Sequence, residues 1–251
     1  MIRVGIVGGT GKLGKEILQL LQENKELQVG AVLARKQSPY IGMDARVLLD
    51  APCEVGVPVT DDIIASRETC DIYIDCTHLD AFIESNYESY LAAGKPLIIA
   101  TTGFGRAEHE DRLQRLSQII PVLLCPNFSI GVYKFLKLVE LAAREFGINS
   151  DIDILEIHHT EKKDCPSGTE VKMVQTIRDA GVDKDIPVHS MRSGDTVGEH
   201  TVMFATDQNE RIEISHKLFS RKGLSQGVIR SVHWIISQQS GLYGLEDIYK
   251  E

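Results

Sequence analysis

Short apolar runs recur along the first half of the chain, and each is followed by a more polar stretch with helix-like spacing. Five runs are apolar at nearly every position: IRVGIV (2–7), LQVGAVLA (27–34), DIYIDCT (71–77), PLIIATTGF (96–104) and PVLLC (121–125). Strands that read this way are typically covered on both faces, as in parallel sheets. The first half therefore predicts repeated βαβ units and a Rossmann-like, doubly wound parallel sheet of the α/β class.

The pattern changes from Phe128 onward. A long helical pattern comes first, and the stretch ILEIHH (154–159) follows it as a predicted buried strand. HTVMFATD (200–207) and RIEISHKLF (211–219) flank a short polar turn and predict an antiparallel hairpin. A final helix is predicted from 224 to 239, ahead of a short polar tail. The second half thus predicts a smaller α+β domain.

Length and composition indicate an ordinary globular protein. The 251 residues suit one large domain or two modest ones, with 43% hydrophobic and 25% charged residues. A formal net charge of -9 argues against broad binding to nucleic acid or anionic membranes. The chain begins MIRVGIVGGTGKLG, which lacks the layout of a signal peptide, and no apolar run is long enough to span a bilayer. We expect a soluble, cytoplasmic protein.

The cysteine pattern excludes two kinds of structural site. The five cysteines are scattered without a CxxC pair, so neither a disulfide framework nor a structural zinc site is predicted. We expect reduced and mostly buried thiols at Cys53, Cys70, Cys76, Cys125 and Cys165.

A glycine-rich stretch, GGTGKLG (8–14), directly follows the first predicted strand and opens the first predicted helix. Gly9, Gly11 and Gly14 form the pattern G-x-G-x-x-G. Such a turn lets backbone N–H groups and the positive end of a helix approach a pyrophosphate. The pattern is weak alone, but the strand before it and the helix after it favour a dinucleotide-binding loop over a turn without a ligand.

The end of the second predicted strand bears on which dinucleotide binds. NAD-preferring sites usually place Asp or Glu there for the ribose hydroxyls, whereas this chain has Ala34, Arg35 and Lys36. Two cations without a carboxylate predict that NADPH binds at least as well as NADH. The alternative is that both charges belong to a solvated loop.

The stretch EIHHTEKKDCPSGTE (156–170) concentrates titratable groups ahead of a predicted helix. Strand alternation would send His158 and His159 to opposite faces, which indicates different roles for them. Ser167-Gly168-Thr169-Glu170 has the S-x-x-E form of a capping box. The free N–H groups at such a helix end can hold a substrate carboxylate, with Lys162 or Lys163 supplying positive charge.

Plainer interpretations of the same residues stay open. A single histidine is more often a hydrogen-bonded structural residue than a catalyst, and a capping box can serve only its own helix. A metal site would draw on His158, His159, Cys165, His200 or His216. No pair among these five has the spacing of a known zinc motif, so no metal is expected.

Taken in order, the motifs resemble those of the dihydrodipicolinate reductase family over almost the whole chain. The matching stretches are GGTGKLG (8–14), ATTGF (100–104), CPNFSIGV (125–132), EIHHTEKKDCPSGT (156–169), GEHTVMF (198–204) and EISHKLFSR (213–221). The resemblance implies reduction of 4-hydroxy-tetrahydrodipicolinate, also called dihydrodipicolinate, by hydride transfer from NADPH or NADH. That reaction belongs to diaminopimelate and lysine biosynthesis.

The resemblance also implies roles for individual residues. His158 corresponds to the general acid/base and Lys162 to a proton-donating lysine. The groups expected to hold the substrate's two carboxylates are His159, Ser167, Gly168 and Thr169. The expected cofactor contacts are Gly8, Gly9, Thr10, Gly11, Lys12 and Leu13 at the pyrophosphate, Arg35 at the adenosine ribose, and Ala100, Thr101, Thr102, Cys125, Pro126, Asn127 and Phe128 beside the nicotinamide.

Two further expectations follow from the resemblance. The nucleotide domain should comprise 1–127 together with 220–251, and the substrate-binding domain, 128–219, should join four subunits into a homotetramer through its sheet. Other functions remain open: a different NAD(P)-dependent oxidoreductase acting on an imine or amino acid, a non-catalytic NADPH-binding sensor, or a metal hydrolase.

Four residues depart from the family's common pattern. Lys12 stands where arginine is usual, Ala34 where an acidic residue is frequent, and Cys165 and Glu170 where alanine is usual. A carboxylate at position 170 would repel an anionic substrate unless it folds back as the capping box predicts.

Overall fold

The computed structural model describes residues 1–49, 56–104, 106–125, 127–220 and 222–250. The strands among them are β1 (Ile2–Val7), β2 (Leu27–Leu33), β3 (Val59–Thr60), β4 (Ile72–Asp75), β5 (Leu97–Ile99), β6 (Pro121–Leu124), β7 (Ser150–His158), β8 (Val188–Arg192), β9 (Gly198–Thr206), β10 (Arg211–Leu218) and β11 (Gly241–Tyr243). The α-helices are α1 (Lys12–Gln22), α2 (Tyr87–Ala93), α3 (Ala107–Ser117), α4 (Ile130–Phe146), α5 (Gly168–Asp179), α6 (Lys222–Ile235) and α7 (Leu245–Tyr249).

The chain forms two compact units. The first unit comprises Met1–Phe128 and Ser225–Glu251, and the second unit comprises Ser129–Leu224. No helix among the described residues is long and apolar enough to cross a membrane.

The first unit is built on a seven-stranded sheet with the order β11-β6-β5-β4-β1-β2-β3, and every neighbouring pair in it is parallel. Successive residues of β1 belong to different hydrophobic clusters, Ile6 to one and Val7 to the other. The sheet is therefore covered on both faces, which confirms the prediction from the apolar runs. The strand order reverses between β1 and β4, the place where ligands usually bind in such sheets.

The second unit has a four-stranded sheet with the order β10-β9-β7-β8. The β10–β9 and β9–β7 pairs are antiparallel, whereas β7 and β8 run parallel. Along β7, buried residues alternate with more exposed ones from Ser150 to His158, and apolar members of its buried face pack with residues of α4 and α5. The predicted hairpin and the α+β character are confirmed.

Several predicted boundaries are wrong. The run 96–104 forms a strand only over Leu97–Ile99, so its remaining residues are available as a loop at the sheet edge. The final segment is more than a polar tail, because Gly241–Tyr243 adds an edge strand beside β6 and α7 follows it. Short strands such as β11 carry too few residues for a clear apolar run, so pairing across the sheet decides them.

The described cysteines are free thiols. Cys70 and Cys125 are buried, Cys76 is half-buried and Cys165 is exposed, while Cys53 lies outside the described residues. The expectation of mostly buried thiols therefore fails for Cys165.

Candidate active site

The glycine loop of the first unit has a backbone that only glycine fits. Gly8 has a φ of +85°, in the left-handed region that favours glycine. A β-carbon on Gly9 would lie 2.4 Å from Cγ1 of Val32, and one on Gly14 would lie 2.5 Å from the carbonyl oxygen of Gly8. Gly11 caps α1 without a side-chain hydrogen bond, so no side chain occupies the start of this helix. These features fit a pyrophosphate held on backbone N–H groups.

Asp75 is the last residue of β4, beside the glycine loop, and it accepts hydrogen bonds from several elements. Its carboxylate is buried and accepts hydrogen bonds from the backbone N–H of Thr77 at 2.9 Å, Oγ1 of Thr101 at 2.8 Å and the hydroxyl of Tyr90 at 2.5 Å. Thr101 belongs to the loop predicted to lie beside the nicotinamide. Asp75 therefore ties the loops after β4 and β5 together, a role that the sequence did not reveal.

The other predicted cofactor residues lie at the same edge of the sheet. Arg35 and Lys36 are exposed just after β2, next to half-buried Ala34. Cys125 is buried after β6, and burial raises the pKa of its thiol to about 12, so it stays protonated and unreactive at neutral pH. Asn127 and Phe128 follow it, and Pro126 lies outside the described residues.

In the second unit, His158 is 7% exposed at the end of β7. Its Nδ1 lies 2.7 Å from Oε2 of Glu156, a fully buried residue two positions earlier on the same strand face. Burial lowers the pKa of His158. The negative charges of Glu156 and Glu170 act to raise it, but burial has the larger effect. The imidazole is therefore held neutral at neutral pH, with Nε2 as its remaining nitrogen for proton exchange.

Glu156 is held by a cation and by backbone. Arg192 of β8 donates from Nη2 to Oε1 of Glu156 at 3.2 Å, and the backbone N–H of Ser167 donates to the same oxygen at 3.3 Å. Burial favours a raised pKa for Glu156, but hydrogen bonding to Ser190 and Arg192 and contact with Glu170 outweigh burial and lower that pKa.

Ser167 caps α5 as predicted, but the second half of the predicted capping box is wrong. The hydroxyl of Ser167 accepts from the N–H of Thr169 at 3.3 Å. Glu170 does not return to the backbone N–H of Ser167, since that group donates to Glu156. Its carboxylate instead accepts from the Ser167 hydroxyl through Oε2 and contacts Nδ1 of His200 through Oε1. Fully buried Glu170 thus turns toward the sheet of the second unit.

The imidazoles of His158 and His200 lie edge to face, with ring centroids 5.3 Å apart. A β-carbon on Gly198 would lie 3.3 Å from Nε2 of His158 and 3.2 Å from Nε2 of His200. Both Nε2 atoms therefore flank a position that glycine leaves open. His216 stacks on His200 at 5.8 Å, and burial lowers the pKa of His216.

The loop after β7 carries the predicted lysine. Nζ of Lys162 forms an ion pair with Asp164, at 2.9 and 2.8 Å from its two carboxylate oxygens. His159 is half-buried and lies one residue beyond the end of β7, whereas Lys163 is exposed. Gly168 is exposed and Thr169 half-buried at the start of α5. The structure thus groups His158, His159, Lys162 and the 167–169 turn in one region of the second unit.

Sequence reasoning missed Glu156, Arg192 and Gly198 as members of this region, and it named His200 only as a candidate metal ligand. Glu156 could have been found, because strand alternation places it on the same face as His158. Arg192 and His200 belong to other strands, and only the register of β7 with β8 and β9 brings them close.

This cluster also has the composition of a cation site. Glu156, His158 and Glu170 each offer a ligand atom, and these atoms all lie within 4.8 Å of one another. Two carboxylates and an imidazole suit several divalent ions.

Known proteins match both units. A family model described as dihydrodipicolinate reductase, N-terminus, matches residues 2–128, and one described as dihydrodipicolinate reductase, C-terminus, matches residues 131–249. Two curated proteins named 4-hydroxy-tetrahydrodipicolinate reductase are similar over 99% of this chain and 98% of their own length. The Syntrophus aciditrophicus protein is 34% identical and the Methylococcus capsulatus protein is 36% identical.

Solved structures extend the comparison. A dipicolinate-bound dihydrodipicolinate reductase from Paenisporosarcina sp. TG-14 has a TM-score of 0.77 and 27% identity, with 99% of each chain covered. An amine dehydrogenase from Mycobacterium smegmatis has a TM-score of 0.63 at 12% identity, which shows a shared fold only.

Proposed function

The chain belongs to the dihydrodipicolinate reductase family, and we propose that it reduces 4-hydroxy-tetrahydrodipicolinate to tetrahydrodipicolinate in diaminopimelate and lysine biosynthesis. The observation that carries this proposal is the match of family models and full-length relatives to both units of the chain. The glycine loop of the first unit and the buried imidazole of the second unit supply the two chemical functions that such a reduction needs.

The proposed reaction adds one hydride and one proton to a cyclic, conjugated imine with two carboxylates, which forms when the hydroxylated substrate loses water. NADPH or NADH, when bound, supplies the hydride. Negative charge then develops on the ring, and His158 donates the proton from Nε2, since its Nδ1 faces Glu156. Lys162 acts as a second donor or as an electrostatic partner.

The start of α5 supports the proposed binding of the substrate's carboxylates. The helix presents its positive end, and its first residue, Gly168, is exposed. Together with Thr169 and His159, the 167–169 turn can hold one carboxylate through backbone and side-chain donors. The Glu170 carboxylate does not occupy the exposed start of α5, because it is fully buried and hydrogen-bonded to Ser167.

We propose that the cofactor can be NADPH as well as NADH, because Arg35 can contact the 2'-phosphate that only NADPH carries. Replacing Arg35 with alanine should raise the KM for NADPH about tenfold, equivalent to about 1.4 kcal/mol, because one charge-assisted contact to the 2'-phosphate is lost. The KM for NADH should change less than twofold, and initial rates with each cofactor measure both values.

A matched control is Lys25→Ala, which removes an exposed cation before β2, at the opposite edge of the sheet. This variant should leave both KM values unchanged. Equal losses with NADPH and NADH in Arg35→Ala would show that Arg35 does not recognise the 2'-phosphate.

We also propose a homotetramer assembled through the sheet of the second unit. One face of this sheet packs with α4 and α5, while Leu155, Met191 and Met203 are only partly buried or exposed. Light scattering coupled to gel filtration should give about four times the chain mass of 27.9 kDa. A monomer mass at micromolar concentration would contradict the proposal.

The proposed function is tested by a coupled assay in which dihydrodipicolinate synthase generates the substrate. Oxidation of NADPH and of NADH is followed in parallel by absorbance. Oxidation that depends on the synthase supports the function. Cofactor binding without oxidation would instead indicate a nucleotide sensor, and oxidation only with other imines would indicate a different reductase.

A further inference from the structure

The loop from 159 to 166 carries Lys162, but it has little apolar packing to hold that residue in place. The loop contains no helix or strand, and six of its eight residues are exposed. None of these described residues belongs to a hydrophobic cluster. Segments with few buried apolar contacts open at a low cost in free energy. Hydrogen bonds must therefore supply much of what orders this loop.

Arg192, the last residue of β8, reaches the loop with its guanidinium group. Its Nε donates to the carbonyl oxygen of Lys162 at 3.3 Å, and its Nη2 donates to the carbonyl oxygen of Asp164 at 2.6 Å. Nη2 also donates to Oε1 of Glu156 at 3.2 Å, and Nη1 donates to the carbonyl oxygen of Met191 at 2.8 Å. All three guanidinium nitrogens are therefore used, two of them on the backbone of the loop.

This set of contacts requires an arginine. A guanidinium group presents five N–H donors in fixed directions, whereas a lysine presents a single nitrogen on a flexible stem. A lysine at position 192 could still place a positive charge beside Glu156. It could not bridge the carbonyls of Lys162 and Asp164 at the same time.

The backbone around Arg192 is tied to the strand end that carries His158. Arg192 pairs with His158 in the register of β7 and β8, and the N–H of Ser193 donates to the carbonyl oxygen of His158 at 2.8 Å. One step beyond the strands, the N–H of Thr160 donates to the carbonyl oxygen of Gly194 at 3.1 Å. Arg192 therefore joins the loop to the same strand end from which His158 projects.

We propose that Arg192 is a positioning residue, which clamps the loop of Lys162 to the end of β7 through the carbonyls of Lys162 and Asp164. This inference rests on the proposed function, which gives the clamp its purpose. A proton donor contributes only when it is held within reach of the atom that it protonates. The clamp keeps the two proposed donors, Lys162 and His158, at a fixed spacing.

Hydrogen exchange followed by mass spectrometry tests the clamp without the reaction, on wild type and Arg192→Lys. The reporters are the amides of Thr160 and Lys162, which donate to the carbonyls of Gly194 and His159. Their exchange should become about tenfold faster in the variant, because the loop opens more often once the two guanidinium–carbonyl hydrogen bonds are lost. Wild-type exchange at both amides in folded Arg192→Lys would overturn the proposal.

Steady-state kinetics separate positioning from a general structural effect. Arg192→Lys should lower kcat about tenfold, because Lys162 is displaced from the substrate. The KM for NADPH should stay within about twofold of wild type, since the glycine loop belongs to the other unit. In a Lys162→Met background, the same change at Arg192 should lower kcat by less than about twofold, because its effect passes through Lys162.

Two kinetic results would overturn the positioning role. One is a loss of kcat from Arg192→Lys that is equally large with and without the Lys162→Met change. The other is a wild-type kcat in Lys162→Met itself, since a clamp on that residue would then serve no step of the reaction.

Arg192→Gln separates the clamp from simple charge compensation. If Arg192 served only to balance Glu156, Arg192→Lys would match wild type and only Arg192→Gln would be impaired. The clamp instead predicts fast loop exchange in both variants. If neither variant folds, Arg192→Gln combined with Glu156→Gln removes the buried charge together with its partner. Wild-type loop exchange in that double variant would also overturn the proposal.

The matched control is Arg144→Lys on α4. Arg144 is an exposed arginine of the second unit that also donates to a glutamate, Glu140, at 2.8 Å. This variant should leave both the loop exchange and kcat unchanged.

The same experiments distinguish failure of the clamp from failure of the proposed function. Fast loop exchange in Arg192→Lys, together with no NADPH oxidation by wild type in the coupled assay, would mean that the function fails while the clamp stands. NADPH oxidation by wild type, together with unchanged loop exchange in Arg192→Lys, would mean that the function stands and the clamp fails.

Discussion

Replacing His158 with glutamine should lower kcat by about 10²–10⁴-fold, the usual contribution of general acid catalysis. Glutamine fills similar space and can form hydrogen bonds, but it has no proton to transfer at neutral pH. The dissociation constant for NADPH should change less than twofold, because the glycine loop belongs to the other unit. Stopped-flow single turnovers and a fluorescence titration of NADPH measure the two effects separately.

The control for this substitution is His189→Gln on β8. His189 is an exposed imidazole that also pairs with a carboxylate, Asp153, at 2.7 Å. Its loss should leave kcat within twofold of wild type. Thermal unfolding of both variants shows whether either substitution disturbs the fold. A folded His158→Gln enzyme with wild-type kcat would show that another group protonates the substrate.

Replacing Gly14 with valine should weaken binding of NADPH and NADH by at least about a hundredfold, equivalent to about 2.8 kcal/mol. Its β-carbon would lie 2.5 Å from the carbonyl oxygen of Gly8 and 2.7 Å from Cα of Gly9. Both atoms are backbone, so the loop must move away from α1, and the N–H groups proposed to hold the pyrophosphate move with it. Isothermal titration calorimetry measures the loss directly.

Two other variants make this experiment decisive. Gln19→Val places the same side chain on the exposed face of α1, where it costs only the modest helix propensity of valine and should leave cofactor binding unchanged. Gly14→Ala introduces only the clashing β-carbon, and it replaces the valine variant in the binding measurement if that variant does not fold. Wild-type affinity in a folded Gly14→Ala protein would mean that the loop does not bind the dinucleotide.

The sequence predicted the parts of the candidate site that depend on neighbours along the chain. Glycines at 8, 9, 11 and 14 between a strand and a helix are a local signal, and the structure favours glycine at 8 by a positive φ and at 9 and 14 by close contacts to a β-carbon. Ser167 as a helix cap is equally local. The family resemblance added roles for these residues, and those roles remain proposals.

Glu170 shows where local reasoning fails. The S-x-x-E pattern predicts a carboxylate that returns to its own helix, and that contact is one option among several for a side chain of this length. In the folded chain, Glu156 already accepts the N–H of Ser167, and His200 offers a donor from β9. The tertiary partners therefore decide the orientation of Glu170.

Alternation of apolar and polar residues, together with the glycines, determined by itself the two kinds of sheet, the position of the glycine loop and the face of β7 that carries His158. The tertiary structure alone decided which charges meet there. Strand register sets Glu156 opposite His200 and His158 opposite Arg192, residues separated by more than thirty positions along the chain. No periodicity in the sequence encodes such pairs. A buried charge is paired because leaving it unpaired costs free energy, and that cost arises only when the formed sheet buries the charge.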